Sequence, residues 1–147
     1  MATEYLTVIK ALFRGIDDLP PSVLEEAATS IKDGGDLTTW FRKYVDDAGE
    51  LTEEGKKLDP AVLAKIKTDE FLDAVRSGDM FTDFKTRFQS ALKTDDEINL
   101  DAFIEQSNLR SSRLTAEDID TFRAGFQKTI DFREQRIQQA LDNGRFA

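Results

Sequence analysis

Carboxylates are the only side chains here that are abundant enough to suggest a catalytic or ion-binding role. The 147-residue chain has 29 Asp+Glu. A pair of carboxylates about 5–9.5 Å apart can hydrolyse a glycosidic bond, and a cluster of six to eight oxygens can bind calcium. With so many acids, some pair meets that distance by chance. The adjacent pairs Asp17–Asp18 and Asp46–Asp47 would point apart on a helix, so neither predicts a joint ion site.

The groups that most enzymes use are absent from the sequence. There is no Cys and no His, which removes thiolate nucleophiles, zinc–thiolate sites, the commonest general base and the commonest transition-metal ligand. No glycine-rich phosphate-binding loop occurs. We therefore expect that the protein is not an enzyme and that it holds no metal and no cofactor.

One acidic segment has a spacing that invites comparison with a calcium site. Residues 93–103 resemble the second half of an EF-hand loop, with Asp95 at a liganding position. However, Lys93 would occupy another liganding position, and Ala102 would stand where the bidentate Glu belongs. This alignment supplies too few oxygens, so the sequence does not predict calcium binding.

The charge is acidic and unevenly distributed. The formal net charge is −9, residues 1–55 carry 5 Lys+Arg against 12 Asp+Glu, and residues 105–147 carry 7 of each. An acidic chain lacks the excess of cations that supplies most affinity for nucleic acid. No apolar run approaches the roughly 20 residues that span a membrane. We expect no direct nucleic-acid partner, no membrane contact and a cytoplasmic location, or a virion location if the protein is phage-encoded.

Helical spacing of apolar residues runs through the whole chain, with Gly and Pro between the segments. The predicted helices cover residues 4–14, 21–33, 37–48, 60–77, 79–93, 101–107 and 116–143. No convincing strand pattern or linker interrupts them. The sequence predicts an all-α fold, an irregular bundle of six to seven helices in a single domain over residues 1–147, with 116–143 as a long C-terminal helix.

The long C-terminal helix changes character along its length. Its first half has a strong apolar stripe, whereas beyond Phe132 the stripe thins to Ile137, Ala140 and Leu141. So narrow a stripe is typical of a seam between two helices. We expect the second half to dock on a partner protein or on a second copy of the chain; the alternative is that it lies across its own domain. The residues expected at the contact are Arg133, Arg136, Ile137 and Leu141.

A second predicted contact involves the single tryptophan. If Leu37, Phe41 and Val45 face the core, Trp40 is rotated about 100° away from them, with Tyr44 above it. An exposed Trp–Tyr pair has the composition of an interface hot spot. We expect Trp40 and Tyr44 to bind a partner; the alternative is that both fold against a neighbouring helix.

These features together favour a non-enzymatic helical protein that works by protein–protein interaction. It would be an adaptor or structural subunit that assembles with itself or with a larger complex, phage particles among them. The alternative is an acidic inhibitor that mimics DNA and blocks a nucleic-acid-binding target. Duplex DNA carries one charge per about 1.7 Å, far denser than the acidic N-terminal part of this chain.

Overall fold

Seven α-helices form most of the residues that the computed structural model describes, which are 3–16 and 19–144. The helices are α1 (Thr3–Leu12), α2 (Pro21–Lys32), α3 (Leu37–Phe41), α4 (Pro60–Ile66), α5 (Asp69–Thr94), α6 (Leu100–Gln106) and α7 (Ala116–Asp142). Short 3₁₀ turns lie at Gly55–Lys57 and Leu109–Ser111. The predicted all-α bundle with a long C-terminal helix is confirmed. The Asp17–Asp18 pair lies outside the described residues.

The core is built around α5, which crosses most of the other helices. The largest fully buried side chains are Ile9, Leu12, Ile31, Leu37, Phe71, Phe84, Phe88 and Ile104. Phe71 lies at one end of α5, with its ring centroid 5.0 Å from that of Phe13 and 5.7 Å from that of Phe41. Burying aromatic rings of this size dominates the energetics of a small core.

Three long cationic side chains cover the carboxyl ends of helices. Lys85 Nζ donates to the Ile31 carbonyl of α2 at 2.9 Å, and Arg113 Nε donates to the Leu12 carbonyl of α1 at 2.8 Å. Arg133 of α7 does the same at the end of α5. The last carbonyls of a helix lack partners within the helix and carry the negative end of its dipole. Lys85 and Arg133 therefore each join two helices, and Arg113 joins the loop before α7 to the end of α1.

The boundary between α4 and α5 differs from the prediction. The sequence predicted one helix up to Gly78 and another from Asp79, but α5 runs continuously from Asp69 to Thr94. The break comes earlier, at Thr68, whose hydroxyl accepts a hydrogen bond from the backbone N–H of Phe71 at 3.2 Å.

Gly78 and Asp79 lie in α5, and both contact the start of α3. A Cβ atom on Gly78 would lie 2.1 Å from Cδ1 of Leu37, so the glycine allows α3 to cross α5 closely. The Asp79 carboxylate accepts hydrogen bonds from the backbone N–H groups of Leu37 and Thr38, at 2.8 and 3.1 Å. These residue types are typical of a helix boundary, but here they mark a crossing between helices.

Two short helices also differ from their predicted bounds. The predicted helix 37–48 ends at Phe41, and the chain then turns so that Val45 and Leu51 form an isolated antiparallel bridge. The helix predicted over residues 101–107, with Asp101 as the expected cap, begins at Leu100 instead. Its N-cap is Asn99, whose side chain accepts a hydrogen bond from the backbone N–H of Ala102 at 3.1 Å.

The start of α7 has the capping box that the sequence Thr115-Ala-Glu-Asp118 predicts. The Thr115 hydroxyl accepts from the backbone N–H of Asp118 at 3.1 Å, and the Asp118 carboxylate accepts from that of Thr115 at 3.0 Å. The same carboxylate forms an ion pair with Arg14 at 3.0 Å. The helix then continues unbroken to Asp142, and Gly144 follows with a φ of 71°. The first turn of α7 is thus fixed both to itself and to the end of α1.

Candidate interaction surface on the last helix

The first half of α7 is covered by the body of the protein. Ile119 and Ile130 are buried. The Phe126 ring lies between α5 rings, with its centroid 4.8 Å from that of Phe84 and 4.9 Å from that of Phe88, both in edge-to-face geometry. Aromatic pairs favour this arrangement. This half of the helix is therefore part of the core.

Arg133 lies where α5 ends and α7 continues. Its guanidinium donates to the carbonyls of Leu92, Asp95 and Asp96, at 3.2, 3.0 and 3.0 Å. Its Nε is buried and has no hydrogen-bond partner among the described residues. This arginine, predicted to meet a partner, is therefore occupied by carbonyls of its own chain. It forms the border between the covered and uncovered parts of α7.

The segment that begins at this border, residues 133–142, is here called the tail. Beyond Arg133, the hydrogen bonds and ring contacts of the tail among the described residues stay within α7. Gln138 donates to Asp142 at 2.9 Å, and the Arg136 guanidinium lies 5.9 Å from the ring centroid of Phe132. Ten helical residues rise about 15 Å. The tail thus extends past the end of α5.

The predicted partner-binding residues of the tail are exposed, apart from Arg133. Ile137 and Leu141 have 48% and 53% of their surface accessible, and Arg136 is also exposed. Residues 130, 133, 137 and 140 follow alternating steps of three and four, so the tail continues the row that Ile130 ends inside the core. The sequence analysis did not select Phe132, which is 61% exposed. It lies off this row, so the spacing of apolar residues gave no reason to choose it.

The structure does not bring Trp40 to the surface. Only 3% of this residue is accessible, and its ring stacks on that of Phe71 with centroids 6.1 Å apart. The prediction that Trp40 is exposed is therefore wrong. The helical-wheel argument assumed one buried face, but α3 is five residues long and has Leu37, Trp40 and Phe41 all buried.

Tyr44 lies beside Trp40 and is also tied into the fold. It is half-buried, and its hydroxyl donates to the Glu26 carboxylate of α2 at 2.6 Å. Burial, together with the hydrogen bond to Glu26, raises the pKa of Tyr44 to about 12. Tyr44 therefore joins the segment after α3 to α2.

The adjacent carboxylates of Asp46 and Asp47 have local partners. The Asp46 carboxylate accepts from the backbone N–H groups of Ala48 and Glu50, and Asp47 pairs with Arg42 at 3.0 Å. No group of three or more His, Cys, Asp or Glu side chains is placed to hold a metal ion within residues 3–16 and 19–144. Over the same ranges, the helices contain no apolar stretch of the length that a membrane crossing needs.

The sequence matches no protein-family model and no curated protein, and the fold matches no solved structure.

Proposed function

We propose that this protein is a non-enzymatic assembly subunit and that it associates with a second copy of itself through the tail. The observation that carries the proposal is the half-exposed pair Ile137 and Leu141, on a helix that extends past the body. Each square ångström of apolar surface removed from water contributes about 25 cal/mol. Burial of this stripe against another helix is therefore favourable.

The shape of the stripe supports a helical partner. Ile137 and Ala140 continue, outside the body, the three-and-four row that starts at Ile130, and this spacing is typical of a seam between two paired helices. Small Ala140 permits close approach at one layer. A broad apolar face would instead favour a larger globular partner.

The charge distribution supports a second copy as that partner. The last 43 residues carry equal numbers of acidic and basic side chains, whereas residues 1–55 have a large acidic excess. Two like-charged acidic surfaces repel each other, and two neutral ones do not. Contact through the tail therefore joins two chains at the region of least repulsion. Assembly into a phage particle or another larger complex, and the cytoplasmic location, stay predictions.

Solution mass tests the proposal. A single chain has a mass of 16.6 kDa, and we expect light scattering to give at least twice that value for the wild type at high concentration. The double variant Ile137→Glu/Leu141→Glu should return to the mass of one chain. The matched control Gln135→Glu/Gln139→Glu adds the same charge on other faces of the tail and should behave like the wild type. A wild-type mass of 16.6 kDa at every concentration would refute self-association.

The structure offers little support for the acidic inhibitor. Several acidic side chains in the N-terminal part are locally paired with cations: Arg42 with Asp47, Lys56 with Glu53, and Lys57 with Glu54, at 3.0, 3.5 and 3.2 Å. These pairs further reduce a density of unpaired charge that is already below that of a phosphate backbone. Dimerisation that resists added NaCl favours assembly through apolar burial, because salt screens only the electrostatic part.

A further inference from the structure

A groove separate from the tail lies between α1, α5 and α7. Its volume is about 460 Å³, which falls within the range of about 300–1,000 Å³ that is usual for small-molecule sites. Most of the lining is apolar and aromatic, from Tyr5, Val8, Phe81, Phe88, Phe122 and Phe126. The Phe81 and Phe126 ring centroids are 6.2 Å apart, so the groove has a largely aromatic floor.

The charge of this groove is opposite in sign to that of the chain. Its lining includes one cation, Lys85, and no Asp or Glu, although the chain has 29 acids. Lys85 is only 5% exposed. Its described partners are the carbonyls of Ile31 and Lys32 and the ring of Tyr5, whose centroid is 4.4 Å from Nζ. None of these partners is an anion, so the buried charge is compensated only by dipoles and a ring.

Gly125 adds a second, independent observation at the same groove. It lies in the interior of α7, where glycine costs about 1 kcal/mol relative to alanine. A Cβ atom there would meet nothing within 4 Å, and Gly125 is not among the glycines with positive φ. Neither crowding nor backbone conformation in the described residues therefore requires glycine. Its effect is to widen the groove and to allow a bound molecule to approach the backbone.

We propose that this groove binds a medium-chain aliphatic carboxylate. The acyl chain would lie on the phenylalanine floor beside Gly125. The carboxylate would be held by charge attraction to Lys85, whose Nζ keeps its hydrogen bonds to the Ile31 and Lys32 carbonyls. Two opposite charges attract each other more strongly at a buried, apolar site than in bulk water. The chain as a whole is acidic. In this groove, by contrast, an apolar lining and a buried cation lie together.

Titration with decanoate tests the proposal, with decanol as the uncharged probe of the same length. We expect decanoate to bind with one molecule per chain and decanol to bind at least tenfold more weakly. Gly125→Leu fills the groove and should weaken decanoate binding at least tenfold. Ala124→Leu adds the same side chain at an exposed neighbouring position of α7 and should leave binding unchanged.

Amide chemical-shift changes in the wild type keep the test decisive if Gly125→Leu does not fold. Changes caused by decanoate should concentrate in residues 5–8, 81–92 and 121–129. The proposal is overturned if decanoate does not bind, if decanol binds equally well, or if the shifts lie elsewhere. The Ile137→Glu/Leu141→Glu variant should bind decanoate like the wild type, which separates this site from self-association.

Discussion

One row of α7 carries apolar residues in both halves of the helix, more sparsely in the second half, but the two halves have different surroundings. Ile130 is 3% exposed, whereas Ile137, two helical turns later on the same row, is 48% exposed. The first half is covered by α5 and tied to the body by the ion pairs Arg14–Asp118 and Arg123–Asp101. The second half begins where α5 stops. Whether a residue on this row is buried or exposed is thus decided by the length of the neighbouring helix.

The sharpest way to break this comparison is to truncate the same residue type in each half. Ile130→Ala should lower the free energy of unfolding by about 3 kcal/mol, because it leaves a cavity in a packed core. Ile137→Ala should change that of the dilute monomer by less than about 0.5 kcal/mol. Urea titration of both variants at low protein concentration measures the difference. Equal losses would show that the tail belongs to the core.

The glycines of the two long helices extend the comparison to α5. Gly78→Ala should destabilise the fold by about 2 kcal/mol, because its Cβ would collide with Leu37. Gly125→Ala should stabilise it by about 1 kcal/mol, since its Cβ enters open space. Thermal melting of the two variants gives the signs directly. A stabilising Gly78→Ala would contradict the close crossing of α3 and α5.

Substitutions of Arg133 and Arg136 compare the stability contribution of the border with that of the exposed part of the tail. Arg133→Met should cost about 1–2 kcal/mol, because carbonyls at the end of α5 lose a charged donor. Among the described residues, Arg136→Met removes only a contact with the exposed Phe132 ring. Its free energy of unfolding should therefore be within about 0.5 kcal/mol of the wild type. Chemical denaturation at low concentration distinguishes them, and equal effects would remove the border from this position.

The smallest expected effect concerns the attachment of the first half to α1. The hydrogen bond from Arg14, with those from Thr115 and the Arg14 charge, lowers the pKa of Asp118. A lowered folded-state pKa means that the pair stabilises the fold above the ordinary Asp value of about 3.9, and that this contribution is lost as the pH falls through the lower folded value. Asp118→Asn should therefore reduce the decline in stability below about pH 4.

The matched variant for this pH effect is Arg14→Met, which removes the partner and keeps the carboxylate. It should reduce the same acid-induced decline in the free energy of unfolding. If stability below pH 4 falls as steeply in both variants as in the wild type, the ion pair does not hold α7 to α1.

Local signals were sufficient for the parts of the fold that depend on neighbouring residues. The capping box at Thr115 and Asp118, and the thin stripe of the tail, depend only on residues within one or two turns. Gly78 and Trp40 were misassigned because their roles depend on a partner distant in sequence. Gly78 makes room for Leu37, and Trp40 is buried against Phe71. The role of Lys85 was not predicted, because nothing in the residues around it indicates that its side chain reaches the end of α2.

Amide hydrogen exchange at two protein concentrations tests the central claim most directly. Slow exchange reports protection by stable structure. We predict that residues 119–130 exchange slowly at both concentrations. Residues 134–142 should exchange rapidly in dilute solution and slowly where the protein is associated. Tail exchange rates that do not change with concentration would contradict self-association through the tail.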